Sequence, residues 1–392
     1  VDYISDSFIK STSCQDGMLK TRGGACYKAL IVPAVKLIPV STLKKLVALA
    51  RQGATVVFVE HYPEDVPGYA SLKQNREQLF ALLEQLPGEK SFRGTQAFNF
   101  GKGRIIVGSD YHETLERTGV PAEELKTRWG VQFIRRTHTE GHHYFISDLQ
   151  ANDVEGWVTL NVPEKHIMCF DPMTGKRGIA KTREVEGKTQ VYMQLKSGES
   201  IILQTFTRSL QGEPEWKYRK EMDYSLSLDH GWKLRFVESY PAIEGEFKID
   251  TPSSWTEVAH PAAKINRGTA LYSLELDLPE LSADDWILDL GDVRESARVR
   301  INGQEAGIAW AAPFRLSIGQ LLKSGKNLIE VEVTNLPANS IAEMDRQGKQ
   351  WRIFEDINMA KLNYEKGTYG HWETLPSGLN GIVRLIPVKY LF

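Results

Sequence analysis

The hydrophobic period of this 392-residue chain changes once, near residue 130, so one layer architecture cannot serve both parts. Before the change, short apolar runs alternate with helical patterns. Ala29-Leu30-Ile31-Val32 and Ala54–Glu60 have the continuous apolarity of strands buried on both faces. Between them Ser41 opens a segment whose Leu43, Leu46, Val47 and Ala50 recur at helical spacing. Strand, crossover helix and strand form a βαβ unit, which requires a parallel sheet. The spacing predicts a second helix over Ser71–Leu86, with Leu72, Leu79, Leu82 and Leu83 on one stripe. A further strand is predicted at Arg104–Val107, then helical turns at Tyr111–Gly119 and Pro121–Lys126.

Past Val131 the runs shorten and are punctuated by Gly, Asp or Pro. Strands are predicted at Val131–Arg136, His143–Ser147, Trp157–Asn161, His166–Phe170, Val191–Leu195 and Ser200–Thr205, the pattern of a small antiparallel sandwich. Gln211–Asp229 has no clear period and reads as a linker lying across a neighbour. Beyond it, Leu271–Leu278, Trp286–Leu290, Ala297–Ile301 and Leu328–Thr334 alternate cleanly, and Asn302-Gly303 marks a hairpin because both residues tolerate positive φ. The expected organisation is multidomain α/β plus all-β: an α/β domain over 1–127, a small β-sandwich over 128–210 and a jelly-roll-like sandwich over 211–392. The last carries an aromatic-rich insertion at about 336–377, and insertions of that length are usually functional or interface-forming.

Length agrees, since domains run to roughly 100–200 residues. Lys plus Arg total 48 against 50 Asp plus Glu, with no basic block to follow a phosphate backbone, so no nucleic-acid partner is expected. No apolar run approaches a membrane span. Cys14, Cys26 and Cys169 form no C-x-x-C pair, so no zinc site is signalled, and a Cys14–Cys26 bridge stays open. The chain begins at Val1 and is read as a piece of a longer protein, natural or engineered.

Catalytic chemistry finds little foothold. The α/β part has no G-x-S-x-G or G-x-C-x-G elbow, and Cys26 precedes a strand instead of following one. Gly101-x-Gly103 lacks the third glycine of a dinucleotide cradle and reads as a hairpin turn. Glu60-His61 lies at a strand end, where open α/β sheets place ligands, but reads more simply as a polar loop start. The run Thr137-His-Thr-Glu-Gly-His-His-Tyr144 invites a metal, yet His142 and His143 would point to opposite faces of a strand, leaving a hairpin tip. No catalytic residue, metal site or cofactor is assigned, and structural calcium stays open. Carbohydrate contact is the better-supported chemistry, because sugar rings stack on large aromatics while polar neighbours take the hydroxyls. The candidates are Trp310, Trp351, Tyr369 and Trp372, with Glu373 beside them; packing in a core or interface is the competing explanation. The Gly307–Phe314 stretch around Trp310 closely follows a hairpin and is expected to pack inward.

Asn302-Gly303, Gly307, Trp310, Pro313-Phe314, Gly325 and Asn327 are spaced as in the galactose-binding-like jelly roll of family 2 glycoside hydrolases, which this stretch resembles. Three further stretches are Asp2–Asp6 leading to Tyr27–Pro33; Arg135-Arg136 with Tyr144–Ile146 and Asp171–Gly175; and Asp289–Arg294 continuing to Ser377–Leu379. With them the whole chain resembles the C-terminal part of α-L-rhamnosidases of glycoside hydrolase family 106. That resemblance implies a preceding catalytic barrel holding the carboxylates, which would be the partner in cis. It also implies a flavodoxin- or class I amidotransferase-like α/β unit without its triad, and a periplasmic or secreted setting. The expected role is a non-catalytic accessory portion of a glycosidase acting on rhamnose-containing plant or pectic glycans, scaffolding the barrel and contacting sugar. The alternative is a free-standing carbohydrate-binding protein.

Overall fold

The computed structural model describes residues 2–88, 94–120, 122–279, 282–353 and 367–392. The chain divides into two compact units, Val1–Glu123 and Glu124–Phe392. In the first, Ala29–Val32, Thr55–Val59 and Gly103–Gly108 pair in parallel and Gln96–Phe100 closes the sheet antiparallel. The helix Val40–Gln52 drives Leu43, Leu46, Val47 and Ala50 onto Val56, Phe58, Ile105 and Val107, and Leu72–Leu83 adds Leu79 to the same core. Val57 and Ile106 point the other way and are also fully buried, which is why these strands read as unbroken apolar runs. Gly101, at φ +62°, turns the hairpin. A Cβ on Gly103 would meet the backbones of Ala50, Gly53 and Ala54 at 2.3–2.6 Å, so glycine there permits the close approach of helix end and strand.

The predicted turn at Pro121–Lys126 appears as Glu124–Thr127, in the second unit, where Leu125 is fully buried in the first of two cores. A five-stranded sheet runs Arg177–Ile179, His166–Phe170, Ser200–Phe206, Gly141–Ser147 and Gln132–His138. A three-stranded one, Val154–Leu160, Lys188–Leu195 and Thr182–Val185, faces it across that core. Alternation is strict along Lys188–Leu195, where Thr189, Val191, Met193 and Leu195 are buried. The strands Arg177–Ile179 and Thr182–Val185 were not anticipated. They carry charge and glycine, and their partners create them.

The second core lies between larger sheets. One runs Glu246–Ile249, Trp232–Tyr240, Arg267–Leu278, Gly325–Thr334, Ser296–Ile301 and Gln304–Ala309; the other runs Tyr218–Glu221, Arg384–Leu391, Asp285–Asp289 and Arg315–Ser317. Trp232, Trp255 and Tyr272 are its largest fully buried side chains. The Asn302-Gly303 hairpin forms with both residues at positive φ, and the Asn302 side chain bonds Leu321 O, Asn327 Oδ1 and the Leu328 N–H. The expected linker Gln211–Asp229 is corrected: its Tyr218–Glu221 and Leu226–Ser227 are strands on Arg384–Leu391. It also joins the sandwiches. The Gln194 amide pairs with the Arg219 backbone at 2.9 Å both ways, and the Tyr218 hydroxyl donates to Tyr192 O and accepts from Lys181 N. Beside it a chain of charge crosses the junction: Asp289 to Arg315 at 2.7 Å, Arg315 to Glu221 at 3.0 Å, Glu221 to Lys196 at 3.1 Å, Lys196 to Asp153 at 2.9 Å.

All three cysteines are free, so the Cys14–Cys26 bridge is not formed; Cys14 packs beside the first unit's core while Cys26 sits exposed on another strand. No helix among the described residues is long and apolar enough to cross a membrane. Asn302→Ala loses left-handed tolerance and side-chain bonds together, and is expected to cost about 2–3 kcal/mol in urea unfolding of the second unit. A loss under about 0.5 kcal/mol would show that the hairpin does not depend on this residue.

Candidate functional site

The first unit offers no catalytic crevice among its described residues. Its three parallel strands advance in one direction with both crossover helices on one face, and Gln96–Phe100 joins antiparallel at the far edge, so the parallel strands show no reversal of order of the kind that opens a ligand crevice. Glu60 does adopt a left-handed φ of +65° at the strand end, but it is exposed, and His61 Nδ1 lies 2.9 Å from Tyr62 O. The Tyr62 phenol donates to Pro87 O, and burial pushes its pKa far up. Burial likewise raises the Cys14 thiol, and much more so the buried Cys169.

The histidine run is a hairpin, as its alternation predicted. His138 Nδ1 accepts from the Glu140 N–H and its Nε2 lies 3.1 Å from Thr205 O, which occupies both ring nitrogens. His143 leans on His138 with ring centroids 4.5 Å apart, while His142 turns to the other face and meets buried Glu164 at 3.3 Å. No group of three or more His, Cys, Asp or Glu converges among the described residues.

Of the aromatic candidates, the structure assembles three. After Gly325–Thr334 the chain leaves the sandwich as an arm that returns at Ser377, pinned across its base and along its length. Asn335 Nδ2 donates to Ser377 Oγ at 3.0 Å; buried Asn339 exchanges two 2.8 Å bonds with the Leu375 backbone; Arg346 donates to Gly370 O. The helix Ala338–Arg346 rises on one side, and at its end the Asp345 carboxylate accepts from Trp351 Nε1 and from the Tyr369 N–H. Those bonds, the Trp351 one foremost, hold the Asp345 carboxyl below its usual pKa, with Arg352 helping. Tyr369 stands between Trp351, with centroids 5.8 Å apart, and Trp372 at 4.6 Å. Arg352 lies over Trp351 and Tyr369 and donates to Gly367 O.

These rings are tilted by 46–47° instead of forming one flat platform, and Arg352 covers part of two of them. Trp372, 41% exposed, is the ring most open to a ligand, and Glu373 beside it is exposed. Trp310 does not pack inward as expected. It is 61% exposed at the end of Gln304–Ala309, and none of the ring contacts of the arm includes it. Phe354 and Tyr364, two further aromatics of the 336–377 insertion, lie outside the described residues. Sequence reasoning missed Asn339, Asp345 and Arg352, although helix formers directly after Leu336-Pro337 were a visible start signal.

Glycoside hydrolysis needs two carboxylates flanking a recess, about 5–10 Å apart. Two shallow recesses lie in the first unit. One, of about 470 Å³ beside Gly17, Asn99, Lys102 and Arg104, has no carboxylate in its lining, and the other, of about 480 Å³ at the start of Leu72–Leu83, has Glu77 alone.

Residues 1–182 match the family model described as alpha-L-rhamnosidase, that of glycoside hydrolase family 106. A protein of Formosa agariphila named "Putative beta-glucuronidase" is 29% identical over 197 residues, 45% of this chain and 17% of its own length. A rhamnosidase structure from Novosphingobium sp. PP1Y matches the fold with a TM-score of 0.73 at 24% identity, covering 98% of this chain and 36% of the other. The chain is a glycosidase-related protein with a rhamnosidase-like multidomain fold. Its first 182 residues carry the family 106 sequence pattern, in line with the resemblance to that family over this part of the chain. It spans about a third of the matched rhamnosidase and less of the curated relative.

The depressed Asp345 pKa sets a pH window. Its folded value lies below that of the unfolded carboxyl, near 3.9, so its contribution is fully present above about pH 4 and is lost as pH falls through the folded value. Tryptophan fluorescence of the arm is expected to hold constant from pH 7 to about 4.5 and to change below that. In Asp345→Asn the acid-dependent step should vanish; its persistence would assign the step elsewhere.

Proposed function

We propose that this chain is the non-catalytic C-terminal accessory portion of a family 106 α-L-rhamnosidase-like glycoside hydrolase, serving plant or pectic polysaccharide breakdown. Its role is to buttress a catalytic domain in cis, in a periplasmic or secreted protein, and to touch carbohydrate through Trp372, Glu373 and Trp310. In this reading the first unit is an amidotransferase-like α/β domain without a triad, and the last sandwich is a galactose-binding-like jelly roll. The observation that carries it is the family match over residues 1–182. The fold likeness to about a third of a rhamnosidase supports it.

The exposure of Trp310 and Trp372 favours the second reading, a carbohydrate-binding protein that works on its own. Calorimetric titration and turnover assays on one sample separate the two. The accessory reading expects no hydrolysis of an aryl α-L-rhamnoside or of rhamnogalacturonan oligosaccharides. Tight sugar binding by the isolated chain, weakened about tenfold in Trp372→Ala, would favour the second, and genuine hydrolysis would defeat both.

A further inference from the structure

An antiparallel sandwich usually turns one side of each sheet to its core and a polar side to water. The six-stranded sheet of the larger sandwich obeys this: on its outer side Arg298 stands opposite Glu332 and Arg300 opposite Glu330. The five-stranded sheet of the small sandwich does not. Phe133, Tyr144, Cys169, Ile201 and Leu203 point into its core, so their neighbours along the strands point out, and those are apolar too. Ile134, Phe145, Ile202 and Phe170 stand opposite one another in register, one from each of four adjacent strands, and form a row across the outer side. Met168 and Phe206, on the same side, are buried without belonging to either core of this unit. The runs Ile167-Met168-Cys169-Phe170 and Ile201-Ile202-Leu203 thus have the texture of strands covered on both faces. The row opens toward the edge strand Gln132–His138, where Ile134 is 63% and Phe145 43% exposed.

Polar residues flank the row on both sides, Gln132, Ser147 and Ser200 on one and Arg136, His143 and Gln204 on the other. An apolar centre with a polar rim is the anatomy of a protein interface. The side chains of the row carry no donor or acceptor, so they suit a protein surface and not a hydroxylated sugar. A second copy of this chain fits poorly. A two-fold axis through the exposed Ile134 would set the exposed Arg136 of each copy beside that of the other, and like charges across an interface are costly. Polypeptide from outside the chain has no such conflict. The rhamnosidase match takes in 36% of that protein, so most of its length lies beyond the matched part. Four of the five strands of this sheet fall within residues 1–182, which carry the family pattern.

We propose that the outer side of this sheet, centred on Ile134 and Phe145, is the seat of the catalytic domain in cis, which covers it with an apolar surface bordered by carboxylates that meet Arg136. The choice of occupant rests on the accessory reading of the chain; the place and chemistry of the contact rest on the apolar row and its cationic edge. The test uses the natural polypeptide at full length, of which residues 1–392 are read as a piece. A photoreactive benzoylphenylalanine replaces Phe145 in one sample and Arg298, on the polar outer side of the larger sandwich, in a control. Cross-linked peptides are mapped by mass spectrometry after irradiation.

The expected result is cross-linking from the probe at Phe145 to residues outside 1–392, with none from the control. Ile134→Glu is expected to abolish that cross-link and to lower the thermal midpoint of the full-length polypeptide. The midpoint of isolated residues 1–392 should not change, because Ile134 already faces water there. Cross-links confined to a second copy or to residues within 1–392, no cross-link at all, or a natural polypeptide with no residues beyond this chain each overturns the proposal. Hydrolysis of an aryl α-L-rhamnoside by isolated residues 1–392 would defeat the accessory reading, and that assay is scored independently of the cross-links.

Discussion

Arg315 is where the second unit is tied together. Burial works against its charge, yet Asp289 from the neighbouring strand and Glu221 from the Tyr218–Glu221 strand outweigh that and keep the guanidinium firmly protonated. Because Glu221 also meets Lys196, which meets Asp153, the larger sandwich is electrostatically continuous with the turn that joins two strands of the smaller one. Half-buried charges of this kind are stable only as a set, since removing one partner strands another away from water. The pairing of the Gln194 side-chain amide with the Arg219 backbone and the Tyr218 hydroxyl reinforce the same joint. The two cores of this unit therefore share a single seam, built mainly by a segment with no period of its own.

That seam marks the limit of what the residues alone disclosed. Patterns governed by burial were readable: the parallel strands with their continuous apolar runs, the helix carrying Leu43, Leu46 and Val47, the alternating strands of both sandwiches and the Asn302-Gly303 turn. Features created by partners were not. Tyr218–Glu221 reads as charge and aromatics until Arg384–Leu391 lies beside it, and Thr182–Val185, three of whose residues are exposed, is a strand because Lys188–Leu195 folds back on it. Trp310 shows the opposite case, a large apolar residue, both sugar candidate and expected to pack inward beside its hairpin, that lies on the surface, where many apolar atoms remain.

The aromatic site was half legible for a related reason. Composition picked out Trp351, Tyr369 and Trp372, but their mutual placement is set by Asp345, Asn339 and Arg352, polar residues whose roles depend on backbone groups more than twenty residues away or on rings brought close by folding. Stacking within the arm consumes most of the ring surface, leaving the edge at Trp372. In the small sandwich Glu155, Gln190 and Gln194 brace their neighbours on a regular sheet, Gln194 also tying it to the Arg219 backbone. Regular strands fix such groups more precisely than an excursion can.

The arm departs at Asn335 and returns at Ser377, two residues held together by one side-chain hydrogen bond. To the sandwich, everything beyond that bond is a closed loop whose contour hardly matters, since closure entropy grows only with the logarithm of length. A lineage could lengthen, trim or replace this stretch without renegotiating the core beneath it. The arm is thus a detachable cassette on a fixed socket, and the part of the chain that can change at least cost to folding.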